Sequence, residues 1–297
     1  MNKTAIAVYG REFNQSVIGY VLELFTYLRN KEVEVYIYHD FHAFLKNNYN
    51  LDFEFQKFKT HLDLPSNIAF MLSLGGDGTM LSAATVIKDS GIPIAGINFG
   101  RLGFLANISK TNIQEALDQI FANEYQIQKR ALLQVETNDN TFEDGPTYAL
   151  NDITVFRSDS SAMITVHAVL NNELLNSYWA DGLIIATPTG STAYSLSCGG
   201  PIIMPGSGNF VITPISPHNL NVRPIVVNEH MKLHLEIESR TEKYILSCDS
   251  KSYILSTKTS LIISKAPFET NLIRLANDQY FNILREKLLW GIDVRNY

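Results

Sequence analysis

A glycine-rich turn that carries one carboxylate is the part of this sequence best suited to chemistry. Gly75-Gly76-Asp77-Gly78-Thr79 follows a strongly apolar run and precedes a helix-like stretch. Glycines let the backbone turn sharply and approach a ligand closely, and the N-terminus of the following helix attracts an anion such as phosphate. A carboxylate is unfavourable there unless it accepts a proton from an attacking hydroxyl or handles a metal ion. The segment therefore predicts a phosphoryl-transfer site.

A second glycine-rich segment extends from Asp181-Gly182 to Gly200-Pro201. Its order predicts a strand, a turn rich in hydroxyl side chains, and a short helix that begins near Ser191 or Thr192. Hydroxyl groups can donate to and accept from ribose, phosphate or base edges, and Tyr194 offers an aromatic face to a purine. Taken alone, an ordinary capped helix after a strand is the simpler interpretation.

Two shorter segments are placed to contribute to the same chemistry. Asn98-Phe99 ends the apolar run that should neighbour the strand before Gly75. Ligands of open α/β sheets collect beyond the carboxyl ends of strands, which would place Asn98 and Phe99 beside Asp77. The alternative is a plain loop with an aromatic plug. The pair Asn151-Asp152 is, by itself, ordinary turn chemistry.

The composition favours a cytoplasmic enzyme of two domains. The chain has 297 residues, of which 45% are apolar, enough for one large core or two ordinary ones. A net charge of −6, with no basic cluster, argues against nucleic acid or an acidic membrane as a partner. The two cysteines, Cys198 and Cys248, are far apart, as expected for a reduced compartment. No window has the length of a transmembrane helix, and no signal-peptide core is present.

The pattern of apolar residues changes near residue 125. Before it, strand-like runs at 5–9, 33–38, 68–74 and 92–97 alternate with helix-like runs, one of which has Ser16 as its N-cap, so a parallel, Rossmann-like sheet is predicted. After it, short alternating runs that include 147–156 predict a sandwich-like β domain, with Asn171-Asn172 as a hairpin turn. We therefore predict an α/β domain over 1–125, an all-β domain over 126–268, and a helical segment over 269–297 that returns to the first domain.

Several well-known sites are absent from the sequence. It has no G-x-x-x-x-G-K-[ST] loop, no G-x-G-x-x-G after a strand, and no G-x-S-x-G elbow. The seven histidines form no ligand pattern. A Walker-type nucleotide site and a hydrolase of the nucleophile-elbow type are therefore excluded.

The four segments, in this order, resemble the NAD kinase family over nearly the whole chain. The glycine turn alone is moderately specific, because lipid kinases and phosphofructokinases carry similar turns, whereas Thr187-Pro188-Thr189-Gly190-Ser191-Thr192-Ala193-Tyr194 is much more specific. The resemblance implies transfer of the ATP γ-phosphoryl group to the 2′-hydroxyl of the adenosine ribose of NAD, forming NADP. It further implies Mg²⁺ or another divalent cation with the ATP, and a homodimer or homotetramer. No residue is assigned as a metal ligand.

The resemblance also implies roles for residues of this chain. Asp77 would be the general base that accepts the 2′-hydroxyl proton, in a turn shaped by Gly75, Gly76, Gly78 and Thr79. Phe99 would line the adenine pocket, and Asn98 would be a binding residue in the same crevice as Asp77. The remaining binding residues expected from the resemblance are Asn151 and Asp152 at ribose hydroxyls, Asp181 near nicotinamide, and Thr192, Ala193, Tyr194 and Ser197 around adenine and its ribose. Thr189 is also expected to bind substrate or cofactor.

Three departures from the family pattern stand out. Asp152 replaces the usual Glu, Trp179-Ala180 precedes Asp181 where Arg-Gly is common, and Cys248-Asp249-Ser250 stands where Asp-Gly is common. The second departure removes a positive charge, and the third puts a role for Asp249 in doubt. Two alternatives stay open: a lipid kinase of the diacylglycerol type, and a non-catalytic NAD(P)-binding sensor. Asp77 argues against the sensor, because a binding protein gains little from a carboxylate beside phosphates.

Overall fold

Parallel strands separated by helices form the first part of the chain, as the sequence predicts. In the computed structural model, which describes residues 3–100, 103–139, 141–142, 147–159, 162–276 and 279–290, these elements are β1 (Ala5–Gly10), α1 (Ile18–Asn30), β2 (Glu34–Tyr38), α2 (His39–Tyr49), β3 (Gln56–Phe58), β4 (Ile68–Leu74), α3 (Asp77–Ile87), β5 (Ile94–Asn98), β6 (Ile108–Ser109) and α4 (Ile113–Phe121). Across the sheet the order is β5-β4-β1-β2-β3, every neighbouring pair is parallel, and β6 lies beside β5.

Strands dominate the rest of the chain. The elements are β7 (Tyr125–Thr137), β8 (Thr147–Ala149), β9 (Asp152–Arg157), β10 (Ile164–Leu170), β11 (Glu173–Ala180), β12 (Gly182–Ala186), α5 (Tyr194–Ser197), β13 (Asn209–Ile215), β14 (Ile225–Asn228), β15 (Lys232–Glu238), β16 (Lys243–Cys248), β17 (Lys251–Ser256), β18 (Leu261–Leu275) and α6 (Tyr280–Leu288). Asn171 and Asn172 form the predicted hairpin turn between β10 and β11, with φ angles of 48° and 69°.

The structure divides into two units. The first unit contains the described residues up to Gln128 and those from Asn271 onward, and the second unit is Lys129–Thr270. The sequence boundaries at 125 and 268 lie close to these positions, and α6 is part of the first unit. The predicted helical segment over 269–297 is wrong for 269–275, because β18 continues to Leu275 and the helix begins at Tyr280.

Each unit has its own core. In the first, side chains from β1, β2, β4 and β5 pack against α1, α2 and α4, with Phe25, Phe41 and Leu72 among the fully buried residues. In the second, the antiparallel sheet β14-β13-β12-β9-β16-β17 shares one core with residues of β10, β15 and β18. Phe210 and Tyr244 are fully buried there. The predicted α/β and sandwich-like β architectures are confirmed.

Three local predictions need correction. Helix α1 begins at Ile18 after a 3-10 turn over Gln15–Val17, and neither carries a side-chain cap, so Ser16 is not an N-cap. Helix α2 was absent from the prediction, because its apolar residues are interrupted by His, Asp and Lys. The predicted strand over 147–156 is two strands with a break at Leu150-Asn151. Asn151 lies in that break and not within a strand. No helix in the described ranges combines the length and apolarity needed to cross a membrane.

Candidate active site

The glycine turn joins the end of β4 to the start of α3. Gly75 has φ +151°, and a Cβ on it would lie 2.2 Å from Thr79 Oγ1, so only glycine fits there. Gly76 and Gly78 are different, because an added Cβ would meet nothing within 4 Å at either position. Both are exposed at the N-terminal end of an 11-residue helix. The turn therefore leaves open backbone where an anion is favoured.

Asp77 accepts three backbone hydrogen bonds from one neighbouring segment. Phe104 N donates to Oδ2 at 2.8 Å, and the N–H groups of Leu105 and Ala106 both donate to Oδ1 at 3.0 Å. Gly103 makes this approach possible, since a Cβ there would lie 1.8 Å from Asp77 Oδ1. A carboxylate offers about four lone-pair positions. At least one position, on the half-buried side chain, is left for another donor.

Arg274 holds the same segment from its carbonyl side. Its Nη1 donates to Leu105 O at 3.2 Å and its Nη2 to Phe104 O at 3.1 Å, while Nε donates to Gln128 Oε1 at 3.1 Å. The peptide groups thus have a carboxylate on their N–H side and a guanidinium on their C=O side. Sequence reasoning missed this residue. The signal was a single charge inside the apolar run Leu272-Ile273-Arg274-Leu275.

Asn98 and Phe99 lie beside this arrangement but are buried. Asn98 is 3% exposed; its amide nitrogen donates to Ala106 O at 3.3 Å, and its oxygen accepts from Gly100 N at 2.7 Å. Phe99 is 9% exposed, and its ring centroid lies 6.2 Å from that of Phe13. Asn98 therefore supports the loop that Asp77 holds, whereas Phe99 packs in the core of the first unit.

In the second unit, the break between β8 and β9 is held by Asp249. The backbone N–H groups of Leu150, Asn151 and Asp152 donate to its carboxylate at 2.7, 2.9 and 3.1 Å. From the other side, Thr187 Oγ1 donates to Leu150 O at 2.6 Å, and Thr187 N to Asn151 O at 2.9 Å. The sequence left Asp249 in doubt; the structure gives it a definite positioning role.

The carboxyl group of Asp152 is in an unusual electrostatic environment. Burial, together with the charge of nearby Asp249, raises its pKa to about 6, although Thr154 Oγ1 donates to Oδ1 at 2.9 Å and acts in the opposite direction. Burial also raises the pKa of Asp249, against the effect of the three backbone donors. Such a carboxyl group can change its protonation near neutral pH.

Most hydroxyl side chains of the 187–195 segment face inward. Ser191 Oγ donates to Pro188 O at 2.7 Å, and Ser195 Oγ lies 2.8 Å from Thr213 Oγ1. Thr189 is 7% exposed, and its Oγ1 accepts from Arg130 Nη1 at 3.3 Å. The idea that the whole set of hydroxyls is available to a ligand is therefore wrong for these three. Their hydrogen bonds fix the turn.

The residues that follow are accessible. Tyr194 is 43% exposed and Ser197 is exposed, while Thr192 and Ala193 are half-buried. The helix starts at Tyr194, after a 3-10 turn over Gly190–Thr192, slightly later than predicted. The accessible ring of Tyr194 is available to stack on a planar ligand.

Asp181 has a positive partner that the sequence did not reveal. Arg157, at the end of β9, places Nε 3.0 Å from Asp181 Oδ1, and both side chains are largely buried. The Arg that the family pattern has just before this Asp is absent, and a guanidinium from the neighbouring strand stands near the same carboxylate. No sequence signal linked residues 157 and 181.

Comparisons with known proteins agree with this architecture. Two family models match, the ATP-NAD kinase N-terminal domain over residues 7–125 and the ATP-NAD kinase C-terminal domain over residues 150–275. NAD kinases of Flavobacterium psychrophilum and Cytophaga hutchinsonii are each 44% identical to the chain, over 98% of its length and 99% of theirs.

Two solved structures share the fold. Yeast NADH kinase complexed with NADH has a TM-score of 0.87 at 21% identity, covering 99% of this chain and 90% of that one. An NAD kinase from Archaeoglobus fulgidus in complex with ATP has a TM-score of 0.73 at 26% identity, covering 96% and 99%. Together with the glycine turn, these matches define a two-domain, ATP-dependent phosphotransferase. The chain belongs to the NAD kinase family.

Proposed function

We propose that this protein transfers the γ-phosphoryl group of ATP to the 2′-hydroxyl of the adenosine ribose of NAD, forming NADP. The observation that carries the proposal is the open backbone at Gly76 and Gly78, next to Asp77 at the start of α3. Close approach of phosphate to backbone N–H groups is what a phosphoryl-transfer site requires. The full-length similarity to proteins named NAD kinase supports the choice of acceptor.

Asp77 is proposed as the general base. A ribose hydroxyl is a poor nucleophile at neutral pH, and a positioned carboxylate that accepts its proton contributes about 10²–10⁴-fold. The three backbone donors from residues 104–106 fix the orientation of this carboxylate. Gly75 and Thr79 shape the turn, Asn98 supports the loop beyond it, and Phe99 packs in the core of the first unit.

Residues of the second unit are proposed to hold NAD. Asn151 and Asp152, kept in position by Asp249, would accept and donate hydrogen bonds at ribose hydroxyls. Tyr194 would stack on adenine, with Thr192, Ala193 and Ser197 around it, while Thr189 would stabilise the turn from within. Asp181, paired with Arg157, would contact the nicotinamide end.

A divalent cation is proposed to arrive with ATP. The described residues contain no group of three or more His, Cys, Asp or Glu side chains arranged to hold a metal ion. Mg²⁺ is usually bound through substrate phosphates with one or two carboxylates, so a donor-borne ion fits this residue set better than a resident one. The cation would neutralise charge on the phosphates.

The test is an assay of the purified protein with NAD, ATP and MgCl₂, in which NADP is measured with an NADP-specific dehydrogenase. We expect NADP to form and ADP to be released in equal amount. A folded protein that binds NAD but forms no NADP would contradict the proposal and favour the sensor. Phosphorylation of diacylglycerol instead of NAD would favour a lipid kinase. Parallel reactions with polyphosphate and with NADH define the donor and acceptor range.

The assembly and location are proposed as a homodimer or homotetramer in the cytoplasm. Exposed apolar side chains in the second unit support assembly: Trp179, Leu220 and Val226 are 51%, 83% and 47% exposed. Both cysteines are unpaired, as in a reducing compartment. Light scattering on the purified protein measures the assembly, and a monomer would contradict it. Cell fractionation tests the location.

A further inference from the structure

A cavity of about 510 Å³ in the first unit has no role among the residues discussed so far. It lies where β1 and β2 end, and Tyr9, Arg11, Tyr38, Asp40, Phe41 and Phe44 are among the residues that line it. Its volume is in the range of about 300–1,000 Å³ typical of small-molecule sites. Ligands of parallel sheets bind beyond the carboxyl ends of the strands, which is where this cavity lies.

Aromatic rings form much of the cavity wall. The ring centroids of Tyr9 and Tyr38 are 4.6 Å apart, and those of Phe41 and Phe44 are 6.4 Å apart with nearly parallel planes. Tyr9 and Phe41 are only 4% and 1% exposed, so the accessible rings are those of the half-buried Tyr38 and Phe44, on which a planar base can stack. The wall is therefore suited to a nucleobase.

Charged side chains lie at the cavity's exposed part. Arg11, Glu12 and Asp40 line the cavity and are exposed, in contrast to the buried Tyr9 and Phe41. A guanidinium binds phosphate oxygens well, and a carboxylate accepts hydrogen bonds from ribose hydroxyls or an exocyclic amine. Beside the aromatic wall, the guanidinium can serve phosphate, and the two carboxylates can serve the ribose and base of a purine nucleotide.

The cavity lies one strand away from the glycine turn within the same sheet. Strand β1 pairs with β4 so that Tyr9 is opposite Ser73 and Gly10 is opposite Leu74. Neighbouring strands are about 4.8 Å apart, and Leu74 directly precedes Gly75. A nucleotide with its base in the cavity can thus extend its phosphates toward Gly76 and Gly78.

We propose that this cavity holds the adenosine part of the phosphoryl donor, with the triphosphate directed toward the glycine turn. This inference rests on the proposed function, because it assigns the donor of that reaction to a site. The acceptor is assigned to residues of the other unit, so the two nucleotides do not compete for these aromatic rings. Arg11 then contributes to donor affinity and not to NAD affinity.

The first experiment compares Arg11→Gln with Arg29→Gln, which removes an exposed charge at the end of α1, outside the cavity. We expect Arg11→Gln to raise the KM for ATP and the Kd for ADP, measured by calorimetry, about tenfold, since a charge-assisted phosphate contact is lost. The KM for NAD should stay unchanged. An Arg11→Gln enzyme with the ATP and ADP constants of Arg29→Gln would overturn the proposal.

The second experiment needs no substitution. Photolysis of the wild-type protein with 8-azido-ADP, followed by peptide mass spectrometry, should label residues in 9–12 or 38–44, and excess ADP should prevent the labelling. Labelling confined to other segments would overturn the proposal. If Arg11-dependent ADP binding and this labelling occur but no NADP forms, the donor site stands and the proposed function fails. If NADP forms without them, the function stands and the donor site fails.

Discussion

Asp77 and Asp249 use the same hydrogen-bond pattern in the two units of the molecule. Each carboxylate accepts three consecutive backbone N–H groups, from residues 104–106 in the first unit and from residues 150–152 in the second. In both cases the segment held in this way carries or adjoins predicted binding residues. The pattern therefore marks loop positioning, and alone it says nothing about catalysis.

The surroundings of the two carboxylates differ. Asp77 begins a helix whose neighbouring glycines, Gly76 and Gly78, leave open space. Asp249 sits in a tight hairpin turn with φ 50°, and burial raises its pKa. Gly190, which packs against the segment that Asp249 holds, is closed, because a Cβ on it would lie 2.1 Å from Asn151 O. We infer that Asp77 can combine positioning with chemistry, whereas Asp249 only positions.

The largest expected effect is on turnover in Asp77→Asn. The amide cannot accept the ribose proton, so kcat should fall by about 10²–10⁴-fold while NAD binding is retained. Steady-state kinetics and calorimetry with NAD measure the two quantities, and thermal unfolding reports how much the loop contacts matter. A near-normal kcat would end the assignment of Asp77 as base and leave it, like Asp249, a positioning residue.

Asp152→Asn should change stability in a pH-dependent way, because burial, with a smaller effect of the Asp249 charge, raises the pKa of Asp152 to about 6 from an ordinary 3.8. As pH rises from about 4 to about 6, the unfolded chain ionises this group while the folded protein keeps it protonated, so wild-type stability falls. The asparagine variant does not lose this stability, because its side chain does not ionise. We expect a gain of about 2–3 kcal/mol near pH 7.5, at about 1.36 kcal/mol per pH unit between the two pKa values, and almost none near pH 4.

Denaturant unfolding at both pH values measures this difference. Asp139→Asn is a control of opposite sign, because hydrogen bonds from Thr141 and Thr259 lower the pKa of Asp139 to about 2. That variant should be less stable than wild type at neutral pH, and the deficit should shrink as the solution becomes strongly acidic. A pH-independent effect of Asp152→Asn would show that the folded protein does not raise the pKa of Asp152.

Asp249→Ala tests the positioning role directly. Removal of the carboxylate leaves the N–H groups of residues 150–152 without this acceptor, which should cost about 1–3 kcal/mol in the free energy of unfolding. Because Asn151 and Asp152 then lose their fixed orientation, the KM for NAD should rise about tenfold. The kcat at saturating NAD should change little. A fall in kcat as large as that of Asp77→Asn would contradict the distinction between the two carboxylates.

The comparison also explains what the sequence could predict. The strands could be predicted because apolar runs and turn residues are features of short stretches of sequence. The glycine turn could be placed because it lies between a predicted strand and a predicted helix. The contacts of Asp249 and Arg274 join segments that are 98 and 169 residues apart in the chain. No local periodicity contains such information. The hydroxyl-rich segment shows the converse: composition identified Thr187 and Ser191, but only packing shows that they face inward.

Gly78→Ala is expected to have the smallest effect on stability. Its effect on activity should be much larger than its effect on stability. Gly78 is the second residue of α3 and has open space, so alanine should leave stability unchanged or raise it by up to about 1 kcal/mol. The added methyl group nevertheless enters the space reserved for phosphate, and kcat/KM for ATP should fall about tenfold. Gly19→Ala is the matched control, since Gly19 is the second residue of α1 and also has open space. It should share the stability effect and keep full activity. Equal ATP kinetics in the two variants would mean that phosphate does not approach the backbone beside Asp77. The open turn at Asp77 and the closed turn at Asp249 would then differ only in packing.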